Sequence, residues 1–530
     1  MCGIWAFINN DDSQIIDYYN NFMKIKHRGP DASVYTQINN VSIGFHRLAI
    51  LETNFNGHQP YMLDNTILIT NGEIYNYKEL IEEYNLDIKN HCDCLVILHL
   101  YKKLSEEEFI NVLKTKIKAE YAFIIFDFEN NKLKKIVASR DHVGVRPLYY
   151  GIDKNESIIF SSELKGIPKE FTGEVKEFPC GILYVNDFIT NKIKQIDYKY
   201  IYNTPEDLSL SENEHYDNLR NSLINAVKRR LIVDDNIEIG YYLSGGLDSS
   251  IVCSIASKLQ PNKRIRTFSI GFEGSTDLPY AKKVAEYINS DHTEILMKEE
   301  EALAVINEVI YATCTYDITT IRASVGQFLI SKYIKENTNI KVIINGDGSD
   351  EVLGGYIFNF NAPNANEFHN CCMDFVKNIH LYDSRRLDRC LAYFSLEARV
   401  PLLDLDFIES AWNIPANIRM PVYNKIEKYC LRKAFEGFLP DDCLYRKKEA
   451  FSDGISSKNK SWYKTIEKYI DSDRRDDCPT VESSYYKNKF ISYFGESRTS
   501  VLPKYWQPCF LKYNSNEYID PSARVLPDYH

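Results

Sequence analysis

The chain has 530 residues, 44% of them hydrophobic and 26% charged, with a formal net charge of −11. That length favours more than one domain and that composition supports packed cores, while the acidic balance sets net repulsion against nucleic acid. No apolar run spans a bilayer, the start MCGIWAFINNDD lacks a basic leader, and thirteen scattered cysteines show neither metal nor disulfide spacing, so a soluble cytoplasmic protein without nucleic-acid or membrane partners is expected.

From Cys2 to about residue 201, short apolar runs separated by turn residues (VSIGFHRLAIL, TILIT, YAFIIFDF, KIVASR, SIIFSS, GILYV) predict a strand-rich first domain. Helices are expected at 79–84 and 94–104. Residues 202–214 (YNTPEDLSLSENE) hold Pro, Asp, Ser and Glu with little apolar content and read as a linker. The second domain, 215–530, opens with a helix over 216–231 and a buried strand over 237–243. Helices over 250–259, 278–288, 300–313 and 324–335 then alternate with strands over 265–272, 293–296 and 341–345. Such alternation predicts a parallel sheet covered by helices, and the chain beyond residue 374 reads as mostly helical.

Cys2 follows Met1, and so small a residue permits removal of the methionine. That would leave a thiol and a free α-amine, with a pKa of roughly 8, on one residue: nucleophile and proton acceptor together. Downstream stand His27-Arg28-Gly29-Pro30-Asp31, Arg47-Leu48-Ala49-Ile50-Leu51, Asn71-Gly72-Glu73-Ile74-Tyr75-Asn76 and Arg140-Asp141-His142 with Gly144 and Pro147-Leu148-Tyr149-Tyr150. In this order they resemble the glutamine amidotransferases that use an N-terminal nucleophile, whose α+β fold is built on antiparallel sheets. The resemblance makes Cys2 the nucleophile, and it gives the Asn71 side chain and Gly72 N–H to the oxyanion. Arg47 with Leu48, Ala49, Ile50 and Leu51 would receive glutamine, the guanidinium taking its α-carboxylate, and Glu73 and Asp93 would hold its α-ammonium. Arg28 and Asp31 read equally as a loop brace and as a gate. The family pattern often has an acidic residue two positions after the Asp matched by Asp93, where this chain has Leu95, but Asp93 itself is retained.

Between an apolar strand and a helix lies Ser244-Gly245-Gly246-Leu247-Asp248-Ser249-Ser250. Its glycines allow close backbone approach to a phosphate, and the helix N-terminus favours the anion. Without the Gly-Lys-Ser/Thr ending of a Walker loop it looks like the pyrophosphate loop of adenylating enzymes. A second loop, Asn345-Gly346-Asp347-Gly348-Ser349-Asp350-Glu351, also follows an apolar strand, and two such loops form the nucleotide crevice of open α/β sheets. Asp248 and Asp350 then read as Mg²⁺ ligands, with ATP as co-substrate.

Taken with the stretches 315–324, 397–404 and 448–454 and the tail 520–524, the whole chain resembles the glutamine-hydrolysing asparagine synthetase family. The resemblance implies aspartate activation to β-aspartyl-AMP and displacement of AMP by internally transferred ammonia. It places adenosine at Leu243, Ile270, Asn345 and Gly346, phosphates on Ser244, Gly245, Gly246, Ser249 and Lys448, and aspartate or its adenylate at Thr319, Thr320 and Arg322. A homodimer is expected on the same ground. Two departures stand out: Asp347 replaces the family's usual Glu, and Asn345 its usual Ser. The Glu is thought to take a proton as ammonia attacks, and proton transfer needs heavy atoms about 3 Å apart, so one lost methylene matters. The alternatives are a related ligase acting on another carboxylate, a glutamine-binding or glutaminase protein without synthesis, and a tRNA-modifying adenylating enzyme.

Overall fold

The computed structural model describes residues 1–10, 18–449, 454–456 and 461–510. The expected motif residues 451–453 and the tail 520–524 lie outside them. Three sheets organise the chain. The first runs β10 (Glu174–Glu177), β8 (Tyr149–Ile152), β9 (Ile158–Ser161), β1 (Gly3–Ile8), β3 (Val41–Arg47), β2 (Ala32–Ile38). The second runs β12 (Lys192–Asp197), β11 (Ile182–Asp187), β7 (Lys132–Arg140), β6 (Ala119–Glu129), β5 (Thr66–Ile74), β4 (Tyr61–Leu63). Both are antiparallel throughout.

The period of two in strand side chains explains their stacking. On β1, Ile4, Ala6 and Ile8 join Ile43 and Phe45 of β3, Ile69 of β5 and Ile124 of β6 in one buried cluster between the sheets. Trp5 and Phe7 face the other way, onto Phe22, Ile25 and Leu48. The outer face of the second sheet is covered by the helix Leu95–Lys103, through Val96, Ile97 and Leu100. Residues 201–211 are not a free tether. Asp207 N donates to Asn413 O, and Glu206 accepts from Ala416 N.

The third sheet is parallel, in the order β15 (Asp291–Leu296), β14 (Arg266–Gly271), β13 (Ile239–Tyr242), β16 (Val342–Ile344), β17 (Glu397–Arg399). The chain lays down β13, β14 and β15 outward, then returns to the other side of β13 for β16 and β17. The reversal puts the switch point between β13 and β16, where the two glycine-rich loops emerge.

Several boundaries differ from expectation. The helix expected over 216–231 spans Glu212–Arg229, because Ser211 and Glu214 form a capping box inside the stretch read as linker. The expected helix over 300–313 is two, Glu299–Ala304 and Ile306–Thr313. The helix expected over 324–335 starts at Ile318, capped by Asp317, and runs to Asn337. β17 was not expected at all.

Candidate active sites

Asn71, Gly72 and Glu73 lie on β5, Arg47 ends β3, and Cys2 precedes β1. Cys2 Sγ lies 3.8 Å from Leu48 O at the start of the loop carrying Ala49, Ile50 and Leu51. Burial pushes its thiol up, while the neighbouring α-amine and the Leu48 carbonyl contact pull it down. Along β5, Thr70 N donates to Gln59 Oε1 at 2.7 Å and Ile74 N to Asp93 Oδ2 at 2.7 Å, both away from β6. Antiparallel alternation turns Gly72 N–H to that same side. Next to it, the buried Asn71 Nδ2 has no hydrogen-bond partner among the described residues. A Cβ at Gly72 would sit 2.4 Å from Glu120 O, so only glycine fits.

The charged residues expected around glutamine have definite partners. Arg47 reaches Asn54 O at 2.6 Å and also bonds Glu52 O, so its loop wraps the guanidinium. Asp93 is pushed up to about 6 by burial, which outweighs the Ile74 N–H and the Cys94 thiol. Glu73 is turned to Arg399, Oε2 to Nη2 3.1 Å, and burial and Glu397 push its carboxyl well up. Arg28 and Asp31 brace rather than hang free. Arg28 donates to Glu163, Asp388 and Cys2 O, and Asp31 takes Lys341 Nζ at 2.7 Å and Ala49 N at 2.8 Å. Met1 is fully buried; burial lowers its α-amine to about 6, with Glu397 3.9 Å away.

At the switch point of the third sheet a cavity of about 210 Å³ is lined by both glycine-rich loops. Of the expected nucleotide residues it brings together Ser244, Gly246, Asp248, Ser249, Ile270 and Asn345, with Gly346, Asp347, Asp350, Lys448 and Thr319. Ser244 N and Oγ both meet Ser249 Oγ, at 3.1 and 2.9 Å, fixing the first loop before the helix Leu247–Leu259 begins. A Cβ on Gly346 would fall 2.5 Å from Ser249 N, so the loops touch through glycine.

Four expected residues stand off the lining. Leu243 is wholly buried, and Gly245 turns towards the next helix, its carbonyl accepting from Arg446. Thr320 lies in the first turn of its helix, its N and hydroxyl donating to the capping Asp317 at 2.9 and 2.7 Å. Arg322, expected to meet phosphate charge, forks onto Glu482 at 2.9 and 2.5 Å. The reason is helical spacing: positions 319, 323, 327 and 330 share the cavity face, and 322 falls beside it.

The structure adds residues that the sequence left unremarked. Lys428, 2% exposed, places Nζ 2.6 Å from Asp248 Oδ2, 2.6 Å from Asp350 Oδ1 and 2.8 Å from Ser349 Oγ. Lys448 Nζ takes the other Asp350 oxygen at 2.5 Å. Against burial, the two ammoniums hold Asp350 far below the ordinary carboxylate range. Arg386 Nη2 binds Asp347 Oδ1 at 3.0 Å and Asp383 Oδ1 at 2.7 Å, and Arg386 Nη1 is buried without a hydrogen bond among the described residues. Burial raises the Asp347 carboxyl, with Arg386 opposing. The i, i+3 pair Asp383 and Arg386 in LYDSRRLDR was a readable signal; Lys428, in a charged stretch, was not.

The two sites meet at Arg399. Its side chain holds Glu73 beside the Asn71–Gly72 pair, and its carbonyl accepts Asn345 N at 3.2 Å at the mouth of the second loop.

Residues 1–211 match the family model of a glutamine amidotransferase domain, and residues 218–370 and 361–504 that of asparagine synthase. A probable asparagine synthetase (glutamine-hydrolyzing) of Acanthamoeba polyphaga mimivirus is 38% identical, over 99% of this chain and 100% of its own. The asparagine synthetases (glutamine-hydrolyzing) of Gallus gallus and Homo sapiens are 37% and 36% identical, each over 100% of this chain and 99% of theirs. Identity of 37–38% with near-complete coverage in both directions, and family models over both halves, mean that this chain belongs to the glutamine-hydrolysing asparagine synthetase family.

Proposed function

We propose that the chain makes L-asparagine from L-aspartate, L-glutamine and ATP, releasing L-glutamate, AMP and diphosphate. The supporting observation is the Arg399 bridge, which joins an amide-cleaving site to a nucleotide cavity through one buried residue. Residues 2–201 carry the glutaminase and 215–530 the synthetase, joined by 202–214.

In the first site Cys2 Sγ attacks the glutamine side-chain carbonyl. The partnerless Asn71 Nδ2 and the Gly72 N–H then donate to the oxyanion. Removal of Met1 supplies the α-amine that takes the thiol proton. Asp93, ionised above about pH 6, holds the substrate's α-ammonium.

In the second site the aspartate β-carboxylate attacks the α-phosphorus of ATP, and the Ser244–Ser249 loop, the helix N-terminus behind it and Lys448 hold the leaving diphosphate. Arg386 Nη1 receives the aspartate α-carboxylate and Asp383 its α-ammonium. Among the described residues no group of three or more His, Cys, Asp or Glu is placed to hold a metal ion. Asp248 Oδ1 is nevertheless buried without a hydrogen-bond partner among the described residues, which suits an ion that takes one or two carboxylates plus phosphate oxygens. Asp248 and Asp350 would hold that Mg²⁺, which neutralises phosphate charge. Ammonia from the first site then forms the C–N bond, the C–O bond to AMP breaks and AMP leaves with its electron pair, and Asp347 takes the proton.

No helix among the described residues is long and apolar enough to cross a membrane, and all thirteen cysteines are free. Both support a reducing, cytoplasmic setting, and sedimentation would test the expected dimer. The deciding assay supplies glutamine, aspartate, ATP and Mg²⁺ and quantifies asparagine, glutamate and AMP together. All three are expected to appear in step, and Cys2→Ala is expected to make asparagine only from added ammonium. Glutamate without asparagine or AMP overturns the synthetase reading.

A further inference from the structure

Gln327 lies on the helix Ile318–Asn337, two turns beyond Thr319 on the stripe that lines the cavity, and is 5% exposed. Its Nε2 donates to Asp347 Oδ2 at 3.2 Å. A carboxylate only accepts, so this contact fixes which end of the amide is nitrogen. The other end, Oε1, is therefore a buried carbonyl oxygen beside Asp347, and it accepts no hydrogen bond among the described residues. A buried acceptor left without a donor is costly, and its retention in a cavity wall points to a ligand that donates.

Asp347 is held on every side but one. Arg386 Nη2 takes Oδ1 at 3.0 Å, and Oδ2 faces both Gln327 Nε2 and, at 3.3 Å, Asn345 Nδ2. Asn345 Oδ1 in turn accepts Asp347 N at 3.2 Å. Two carboxamides thus fix a carboxylate that is one methylene shorter than the family's usual Glu. Of the four amide heavy atoms that surround it, Gln327 Oε1 alone has no hydrogen-bond partner among the described residues.

Resting on the reading of this cavity as the aspartate–ATP site, we propose that Gln327 Oε1 binds the incoming ammonia. Ammonia carries three N–H donors and one lone pair. One N–H donates to Gln327 Oε1 and one to Asp347, which turns the lone pair to the acyl carbon. As the C–N bond forms, the C–O bond to AMP breaks and Asp347 accepts the proton, leaving the amide, AMP and a protonated Asp347. Gln327 changes neither charge nor bonding; it is a catalytic residue by contact with the nucleophile.

The one competing donor of similar chemistry is the α-ammonium of aspartate, and the test separates the two. Wild-type protein and Gln327→Met are assayed with ammonium as sole nitrogen source for KM of ammonium, KM of aspartate and kcat. Aspartate-dependent ATP–diphosphate exchange, which needs no ammonia, is measured beside them. Losing one hydrogen bond is expected to raise the ammonium KM about tenfold in Gln327→Met, with exchange and aspartate KM within about twofold of wild type. A raised aspartate KM with unchanged ammonium KM assigns Oε1 to the amino-acid substrate and overturns the proposal. So does a fall in kcat alone, which makes Gln327 a brace for Asp347. If Gln327→Met does not fold, Gln327→Leu is read the same way. Absence of exchange in the wild-type protein refutes the synthetase reading itself, a different result from any of these.

Discussion

At the scale of single residues, the chemistry lives in atoms left without partners and in charges held by more than one neighbour. Asp93 is ionised only above about pH 6, because burial raises it from the ordinary range near 3.8. Its proposed hold on an α-ammonium would therefore be complete well above that pH and lost as pH falls through it. The glutamine KM is expected to climb below about pH 6 in wild type, and to be high and nearly flat with pH in Asp93→Asn. Initial-rate glutaminase assays between pH 5 and 8 would check this. Lys428 sets a second expectation. Its ammonium lies between Asp248 and Asp350, and removing one partner of a buried ion group costs roughly 3–5 kcal/mol. Lys428→Met should lose about that much in urea unfolding without nucleotide, and Mg·ATP should restore part of it. Cys2, Asn71 and Asp347 could be proposed from the sequence because they sit in short contiguous strings. Arg386 was legible only as the i, i+3 partner of Asp383, while Gln327, on the cavity wall, and Lys428, behind Asp248 and Asp350, stayed hidden because each acts only through side-chain direction.

At the scale of elements, the glycine-rich loops carry the nucleotide site because they leave the sheet at its point of reversal. Their contact is a glycine against a backbone nitrogen, at 2.5 Å from the place a Cβ would occupy. Gly346→Ala should push the loops apart and raise the ATP KM at least about tenfold, while the glutaminase kcat stays within about twofold; parallel exchange and glutaminase assays measure both. The alternating strands and helices from 239 to 344 were readable from apolar runs. β17 was not, because Glu397–Arg399 offers three residues, two of them charged, and is a strand only through pairing with β16. The start of the helix at Ile318 was also masked, since Ile-Thr-Thr-Ile is β-branched and its helical state depends on the Asp317 cap. Local propensity decides where long-range pairing does not; both misses lie where pairing or capping overrides it.

At the scale of the molecule, the two halves are joined by buried charge. Arg28 reaches Asp388, Arg230 joins Glu120 to Asp404, Arg385 takes Glu177, and Arg399 takes Glu73. Each pair loses its hydration in exchange for one particular partner across the interface, so the halves should melt together. Calorimetry is expected to give one transition for wild type. Asp388→Ala, which leaves Arg28 paired only with Glu163 of its own half, should lower stability by roughly 1.5–3 kcal/mol and separate two transitions. No periodicity in the sequence announces such an interface, because its arginines and carboxylates are hundreds of positions apart. Met1 lies inside that same seam, wholly buried, with its α-amine near Glu397. An aminopeptidase must grip a free chain end, and the docked seam offers none. On the proposed role of Cys2, trimming must therefore precede docking of the two halves. A chain that docks untrimmed is then expected to lack glutaminase activity while still using added ammonium.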